Sequence, residues 1–181
     1  MTEKLKFRCF DTSRVTEEIA NVHSLVSGDL SEPYTIAIYY YFMLNWPDLA
    51  IFAYVDGNPN EFVGVIVGGL RNHQQRKLRG YIAMLAVKEE FRGRGIAKQL
   101  ISEQIEAFKQ HGADEVVLEA ECKNKAGISL YEGQGFIRTR RMSRYYFGMN
   151  DAFRLVLPLT EKALKPTVFL NPTETEELET Y

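Results

Sequence analysis

The residues best suited to chemistry form the short segment Arg92-Gly93-Arg94-Gly95, which separates an apolar run from a helical pattern. The run from Tyr81 to Val87 is typical of a buried strand, and the periodicity after it predicts an amphipathic helix. Backbone N–H groups in the first turn of a helix have no intrahelical partner, and the helix dipole favours negative charge there. The glycines allow close backbone approach and the arginines add cationic donors. The segment predicts a phosphate-binding loop, with a plain strand-to-helix turn as the alternative.

Two common nucleotide-binding loops do not match this segment. A nucleoside triphosphatase loop ends in Gly-Lys-Ser or Gly-Lys-Thr. A dinucleotide fold carries a third glycine and an acidic partner within repeating βαβ units. Neither pattern follows Gly93 and Gly95 in the sequence, so both classes are excluded.

A second unusual residue is Glu119, which lies in the apolar segment from Val116 to Glu121. In a strand the side chains alternate, so Leu118 and Ala120 face one way while Glu119 and Glu121 face the other. A central strand of a sheet that is covered on both faces is normally apolar on both. A carboxylate there costs free energy of desolvation unless it has a partner or a use. Glu119 is therefore either a functional group or a structural residue bonded to neighbouring backbone.

The pattern around these residues predicts a mixed α/β domain of about seven strands and four helices. A strand, a helix and a strand between residues 77 and 121 imply a parallel pair inside an otherwise antiparallel sheet. The turn 56–59 and the loop 148–151 predict two hairpin connections. The expected strands are 5–10, 49–55, 61–70, 77–87, 115–121, 136–147 and 152–158, and the expected helices are 13–26, 34–45, 94–111 and 125–132.

A second block of residues downstream supports the phosphate-binding interpretation. Asn124 is placed to cap a short helix, and a new strand begins at Phe136. The run from Arg92 to Ala97 matches an Arg/Gln-x-x-Gly-x-Gly/Ala pyrophosphate loop, and 124–131 with Gly135-Phe136 matches an Asn…Leu-Tyr…Gly-Phe segment. On these residues the chain resembles the GNAT superfamily of acyl-CoA N-acyltransferases.

Five separated segments narrow the resemblance to the catalytic subunits of eukaryotic N-terminal acetyltransferase C (NatC) complexes. The resemblance covers about residues 5 to 160 and keeps the order of that family. It implies a GNAT domain over residues 1–160, in which the two parallel strands splay apart. The segments that carry it are 29–34, 79–82, 131–138, 144–146 and 151–159.

The resemblance implies that acetyl-CoA is the co-substrate. Its pantetheine arm would pair with the backbone of Leu85, Ala86 and Val87 like an extra strand, and one of their N–H groups could polarise the thioester carbonyl. The other residues that the resemblance assigns to this ligand are Arg92, Gly93, Arg94, Gly95, Ile96, Ala97, Asn124 and Tyr131.

The same resemblance assigns the catalytic groups. Glu119 would be the general base, and Tyr131, on the helical face of Asn124, would protonate the departing CoA thiolate. Core packing remains the alternative role for Tyr131. A ping-pong reaction through Cys122 is disfavoured because no histidine lies near it in the sequence.

On the acceptor side, the implied substrate is the α-amine of a nascent chain that begins with Met and a bulky hydrophobic residue. Lysine or small-molecule amines are the alternative acceptors, and an acyl-CoA-binding subunit without turnover is the non-enzymatic alternative. The implied partners are a large auxiliary subunit and a small Sm-like subunit, with ribosome contact through these subunits. The residues expected around the acceptor are Leu30, Glu32, Pro33, Tyr34, Tyr145 and Tyr146.

Length and composition are those of an ordinary globular domain. The 181 residues, 45% hydrophobic and 25% charged, suffice for one domain with a sizeable core. A net charge of −2 argues against nucleic acid as the primary ligand. The cysteines, Cys9 and Cys122, suit a reducing compartment, and the uncharged run from Pro33 to Pro47 is shorter than the roughly 20 residues of a membrane span. We expect a cytoplasmic protein without DNA or membrane partners.

Four further features carry weaker expectations. The histidines are isolated and predict no metal site. The run Tyr39-Tyr40-Tyr41-Phe42 predicts core packing of a helix or a subunit interface. The arginines between 138 and 144 predict a solvated strand face, with the CoA 3′-phosphate or ribosomal RNA as alternative contacts. Residues 161–181 predict a polar acidic tail that is mobile or docks on a partner.

Overall fold

A seven-stranded mixed sheet lies at the centre of the computed structural model, which describes residues 4–27, 34–58, 61–73 and 76–164. The strand order is β1-β2-β3-β4-β5-β7-β6. The strands are β1 Leu5–Cys9, β2 Ala50–Val55, β3 Phe62–His73, β4 Lys77–Val87, β5 Glu115–Glu121, β6 Ile137–Met142 and β7 Ala152–Pro158. The helices are α1 Val15–Val26, α2 Ile36–Asn45, α3 Ile96–Gln110, α4 Lys125–Glu132 and α5 Glu161–Leu164.

The predicted parallel pair is confirmed as β4 and β5, and it is short. Residues 79–81 of β4 pair with residues 115–117 of β5, and the other neighbouring strands are antiparallel. Over the described residues no further pair joins β4 to β5, although β4 stays paired with β3 as far as Val87. The C-terminal halves of the two parallel strands therefore leave a gap between them.

A β-bulge in β4 marks the place where this gap opens. Val67 of β3 pairs with Met84, but the next residue, Gly68, pairs with Ile82, so Ala83 is an extra residue on β4. A bulge bends its strand and increases the local twist. Opposite it, a Cβ added to Gly68 would lie 2.6 Å from the carbonyl oxygen of Tyr81, so glycine is required by close backbone approach.

Two hydrophobic cores cover the faces of the sheet. Helices α1 and α2 pack on one face over side chains such as Phe52, Val65 and Met84. Helices α3 and α4 pack on the other face over Ile66 and Leu118. Because Ala83 is an extra residue, Ala83 and Met84 both face the α1–α2 side, which breaks the alternation of the strand.

One predicted strand was too long. The strand expected at 136–147 ends at Met142, because Arg144 has a left-handed φ of 55° that a strand cannot contain. The Arg144 backbone N–H donates to the Asp151 carboxylate at 3.0 Å, which fixes this turn. Residues 143–151 therefore form a longer connection than the loop 148–151.

The C-terminal end of the described chain is attached to the sheet through Asp114. Its carboxylate accepts from the Leu78 N–H at 2.8 Å, from the Thr160 hydroxyl at 3.0 Å and from Lys162 Nζ at 2.7 Å. Helix α5 thus lies within the predicted tail, whose residues 165–181 are outside the described residues. The division at residue 160 stays a prediction. Across the described ranges, no helix has both the length and the apolar character to cross a membrane.

Replacing Asp114 by Ala should lower the free energy of unfolding at pH 7 by about 1–3 kcal/mol, because it removes the acceptor of three hydrogen bonds. Lys162 first, then Leu78 and Thr160, hold the pKa of Asp114 below its ordinary value of 3.8 despite burial. A lowered folded-state pKa gives stability above that ordinary value, and this stability is lost as the pH falls through the folded-state pKa.

Urea unfolding from pH 7 down to pH 2 measures this effect. The difference between wild type and Asp114→Ala should shrink below about pH 4. Asp56→Ala is the control. Asp56 makes a half-exposed ion pair with Lys6, so its removal should lower the free energy of unfolding much less. A difference that stays constant with pH would contradict the ion-pair contribution of Asp114.

Candidate active site

The loop before α3 has the backbone geometry of an anion site. Gly93 and Gly95 have φ values of 75° and 80°, and Gly95 is the N-cap of α3. No acidic residue lies in the first turn of the helix. Arg92 Nε donates to the Val87 carbonyl at 3.0 Å, and Arg94 Nη2 donates to the Glu90 carbonyl at 3.1 Å. Arg92 thus ties the loop to the end of β4 and Arg94 ties it to the turn that follows β4, and the helix N-terminus provides the donors for an anion.

Glu119 lies on β5 beside the gap, with its side chain only 6% exposed. Its Oε1 accepts from Arg154 Nε at 3.0 Å, and the Tyr81 phenol of the neighbouring strand lies close enough for the charge of Glu119 to raise its pKa, after burial. The Tyr146 hydroxyl lies 3.5 Å from its backbone carbonyl. The Glu119 side chain is therefore held by the Arg154 guanidinium of the neighbouring strand β7, and its backbone carbonyl lies close to the Tyr146 phenol.

Tyrosine side chains surround this carboxylate. The Tyr34 hydroxyl lies 3.5 Å from the carbonyl of Ala83, the bulge residue. The Tyr145 and Tyr146 rings are 5.1 Å apart, edge to face. Burial, followed by the negative charge of Glu119, raises the pKa of Tyr81 well above its ordinary value, and burial raises the pKa of Tyr146. These phenols therefore stay protonated and can donate hydrogen bonds at neutral pH.

Tyr131 lies on α4, where its ring packs edge to face on Phe136 at 5.8 Å. Burial raises the pKa of Tyr131 to about 12, so it too is a neutral donor. The Asn124 side chain caps α4 by accepting from the Gly127 N–H at 2.9 Å. Its oxygen therefore orders the helix that carries Tyr131.

The remaining sequence-predicted residues divide into three groups. Leu85, Ala86 and Val87 lie at the end of β4 beside the gap, and Ile96 and Ala97 lie in the first turn of α3. Leu30, Glu32 and Pro33 lie outside the described residues.

Two residues beside the site were not assigned to it from the sequence. They are Tyr81 and Arg154, which lie on the strands next to the strand of Glu119. The two consecutive glycines Gly68 and Gly69 inside β3 indicate a bulge or a close backbone approach, and the bulge in β4 lies opposite them, near Tyr81.

Several weaker expectations can also be placed. Arg138 forms a bidentate pair with Glu132 at 2.6 and 3.0 Å, and Arg141 pairs with Asp151. Tyr39 and Phe42 are buried in the α1–α2 core, whereas Tyr41 is exposed. Within the described part of the chain, no three His, Cys, Asp or Glu side chains form a group that could hold a metal ion.

Comparison with known proteins places this geometry in a family. Residues 19–136 match the model of the acetyltransferase (GNAT) family. The chain belongs to the GNAT acetyltransferase family. The GNAT fold expected from the sequence is thereby confirmed, with five helices where about four were expected.

Two curated GNAT relatives and one solved structure are similar over most of the chain. N-alpha-acetyltransferase 30 of Saccharomyces cerevisiae is 48% identical over 160 residues, which are 87% of this chain and 90% of that protein. N-alpha-acetyltransferase MAK3 of Arabidopsis thaliana is 44% identical over 160 residues, covering 88% of this chain and 82% of the relative. A chain in the crystal structure of the NatC complex bound to Gag peptide and CoA has 45% identity and a TM-score of 0.83, covering 87% of this chain and 99% of that one.

Acetyl-CoA should raise the melting temperature of the protein. A ligand at about 100 times its dissociation constant adds roughly 2.7 kcal/mol to the free energy of unfolding, which corresponds to about 5–10 °C for a domain of this size. Gly95→Trp should abolish this shift by placing a ring at the N-terminus of α3. Differential scanning fluorimetry with and without acetyl-CoA measures it.

Gly112→Trp is the matched control. Gly112 follows the other end of α3, has a φ of 76°, and like Gly95 has open space at its Cβ position. Both variants carry the same backbone strain, so only the loss of the ligand site should distinguish them. If a folded Gly95→Trp variant kept the full increase in melting temperature with acetyl-CoA, the phosphates of the ligand would not bind at the N-terminus of α3.

Proposed function

We propose that this chain is an acetyl-CoA-dependent N-alpha-acetyltransferase and the catalytic subunit of a NatC-type complex. The observation that carries the proposal is the buried carboxylate of Glu119, held among tyrosines beside a gap that leads from the loop at Gly93 and Gly95. Such a gap suits an extended thioester, and the carboxylate and tyrosines suit an incoming amine. The similarity to N-alpha-acetyltransferases over more than four-fifths of the chain supports the same conclusion.

The proposed reaction is a direct transfer in a ternary complex. Acetyl-CoA binds with its pyrophosphate at Arg92–Ala97 and its pantetheine arm beside Leu85–Val87. The α-amine attacks the thioester carbonyl, a C–N bond forms and the C–S bond breaks. Glu119 accepts the amine proton through water, and the phenol of Tyr131 donates a hydrogen bond to the leaving thiolate.

An α-amine is easier to deprotonate than a lysine side chain, which favours it as the acceptor. An α-amine has an ordinary pKa near 7.7–8.0, against about 10.4 for lysine, so its deprotonation at pH 7 costs roughly 3–4 kcal/mol less. A single carboxylate suffices for an α-amine. The aromatic walls at Tyr34, Tyr145 and Tyr146 suit a Met followed by a bulky hydrophobic residue. From the sequence alone, Leu30, Glu32 and Pro33 are further candidates for this acceptor site.

The proposed assembly includes a large auxiliary subunit and a small Sm-like subunit, with ribosome contact through these partners. Helix α2 supports a subunit interface, since it has no charged residue and leaves Ile36, Tyr41 and Leu44 about half exposed. We place the enzyme in the cytoplasm, because its free cysteines, Cys9 and Cys122, suit a reducing compartment. In this proposal residues 1–160 are the GNAT domain and the tail is mobile or docks on a partner.

The acceptor preference is tested with peptides that begin Met-Leu, Ser-Glu and Ala-Ala, and with an N-terminally blocked peptide that carries an internal lysine. Met-Leu should give a kcat/KM at least about 10-fold above Ser-Glu, because one apolar pocket contact is worth about 10- to 200-fold. Release of free CoA thiol measures each rate. Equal or faster transfer to the lysine peptide would instead favour a GNAT enzyme for lysine or small amines, and no release with any acceptor would favour an acyl-CoA-binding subunit.

Variants of the proposed catalytic groups test the mechanism. Glu119→Gln should lower kcat by about 10²- to 10⁴-fold, the usual contribution of a general base. Tyr131→Phe should lower it by about 10²- to 10³-fold, as expected for one lost transition-state donor. Both should keep the acetyl-CoA melting shift. Cys122→Ser is the control and should leave kcat nearly unchanged. An inactive Cys122→Ser variant would indicate a reaction through a cysteinyl thioester.

A further inference from the structure

The pair formed by Glu119 and Arg154 is not explained by the general-base role alone. The two residues are directly opposite each other on β5 and β7, and Arg154 Nε lies 3.0 Å from Glu119 Oε1. Their side chains are 6% and 26% exposed, so the pair is largely removed from water. Breaking such a pair leaves a buried charge without compensation.

The surroundings fix both members of the pair. The pKa of the neighbouring Tyr81 is raised by burial and then by the charge of Glu119, and the Tyr81 ring stacks on Phe42 and lies under the Arg71 guanidinium. The backbone carbonyl of Arg154 accepts from the Thr139 hydroxyl at 3.3 Å. The Glu119 carboxylate is thus held from β7 by the Arg154 guanidinium, beside the buried phenol of Tyr81 on β4, which restricts its rotation.

We propose that Arg154 is a positioning residue for the proposed acetyl transfer, and that it acts by holding the Glu119 carboxylate in its working orientation. The proposal rests on the proposed function, because it assigns Arg154 an effect only through the base. A guanidinium suits this role, since its planar donors set the direction of the bond as well as supplying the charge. Lysine would keep the charge and lose the planar geometry.

The same strand offers a matched control. Glu115 lies four residues before Glu119 on β5, is also 6% exposed, and accepts from Arg79 Nε at 2.8 Å. This second arginine–glutamate pair lies at the paired end of β4 and β5, away from the gap. Arg79→Gln therefore tests what the loss of a comparably buried pair does to stability without touching the base, with Lys77 Nζ remaining 3.5 Å from the Glu115 carboxylate.

The experiment measures kcat and KM with the Met-Leu peptide for the full chain, purified with any subunits that copurify with it. Arg154→Gln should lower kcat by about 10- to 100-fold, the cost of a small misplacement of a catalytic group. The KM for acetyl-CoA should stay within about twofold, and Arg154→Lys should recover part of the loss. Arg79→Gln should leave kcat unchanged even where its melting temperature falls.

A double variant separates positioning from general stability. In the Glu119→Gln background, Arg154→Gln should cause no further fall in kcat, because the group that it positions is already gone. An additive fall in the double variant, an unchanged kcat in Arg154→Gln, or an equal loss in Arg79→Gln would each overturn the proposal. Inactivity of the wild type with all acceptors contradicts the proposed function itself, and this result is distinct from the other three.

Discussion

The extra residue Ala83 in β4 is the constraint on which the site depends. A regular β4 would pair with β5 along its length, and its backbone groups would be used in the sheet. The bulge bends β4 while its C-terminal half remains bonded to β3, so the gap opens only toward β5. It also places the carbonyl of Ala83 3.5 Å from the hydroxyl of Tyr34, one of the tyrosines that we propose to line the acceptor side.

Much of the fold could be predicted because its signals are local. Strands β4, β5 and β7 and helix α4 begin and end where apolar alternation and the capping residue Asn124 placed them. The overextended β6 shows the limit of such signals. Arg144 leaves the strand conformation because its N–H donates to the carboxylate of Asp151, seven residues away. The alternation of residues along a strand does not indicate such a contact.

The site was less predictable, because its key contacts join distant parts of the chain. Glu119 was detectable alone, as a charge on a strand that should be apolar. Its partners Tyr81 and Arg154 lie 38 and 35 residues away, and only the strand order β4-β5-β7 brings them together. In the sequence Tyr81 is one residue of an apolar run and Arg154 one residue of the strand expected at 152–158, and neither position signals a contact with Glu119.

The raised pKa of Tyr131 bears on how this residue would assist the departing thiolate in the proposed reaction. Its pKa of about 12 lies roughly 3.5 units above the ordinary value of about 8.5 for a thiol, so complete proton transfer to the thiolate would be uphill by about 5 kcal/mol. A hydrogen bond to the thiolate carries no such cost and still stabilises the developing charge. In the proposed mechanism we therefore assign Tyr131 a hydrogen bond to the thiolate, and the proton transfer that the resemblance implies stays a prediction. In the proposed transfer the proton that must move is the one the neutral amine loses, so we expect the rate to depend on the orientation of Glu119, which Arg154 holds at 3.0 Å.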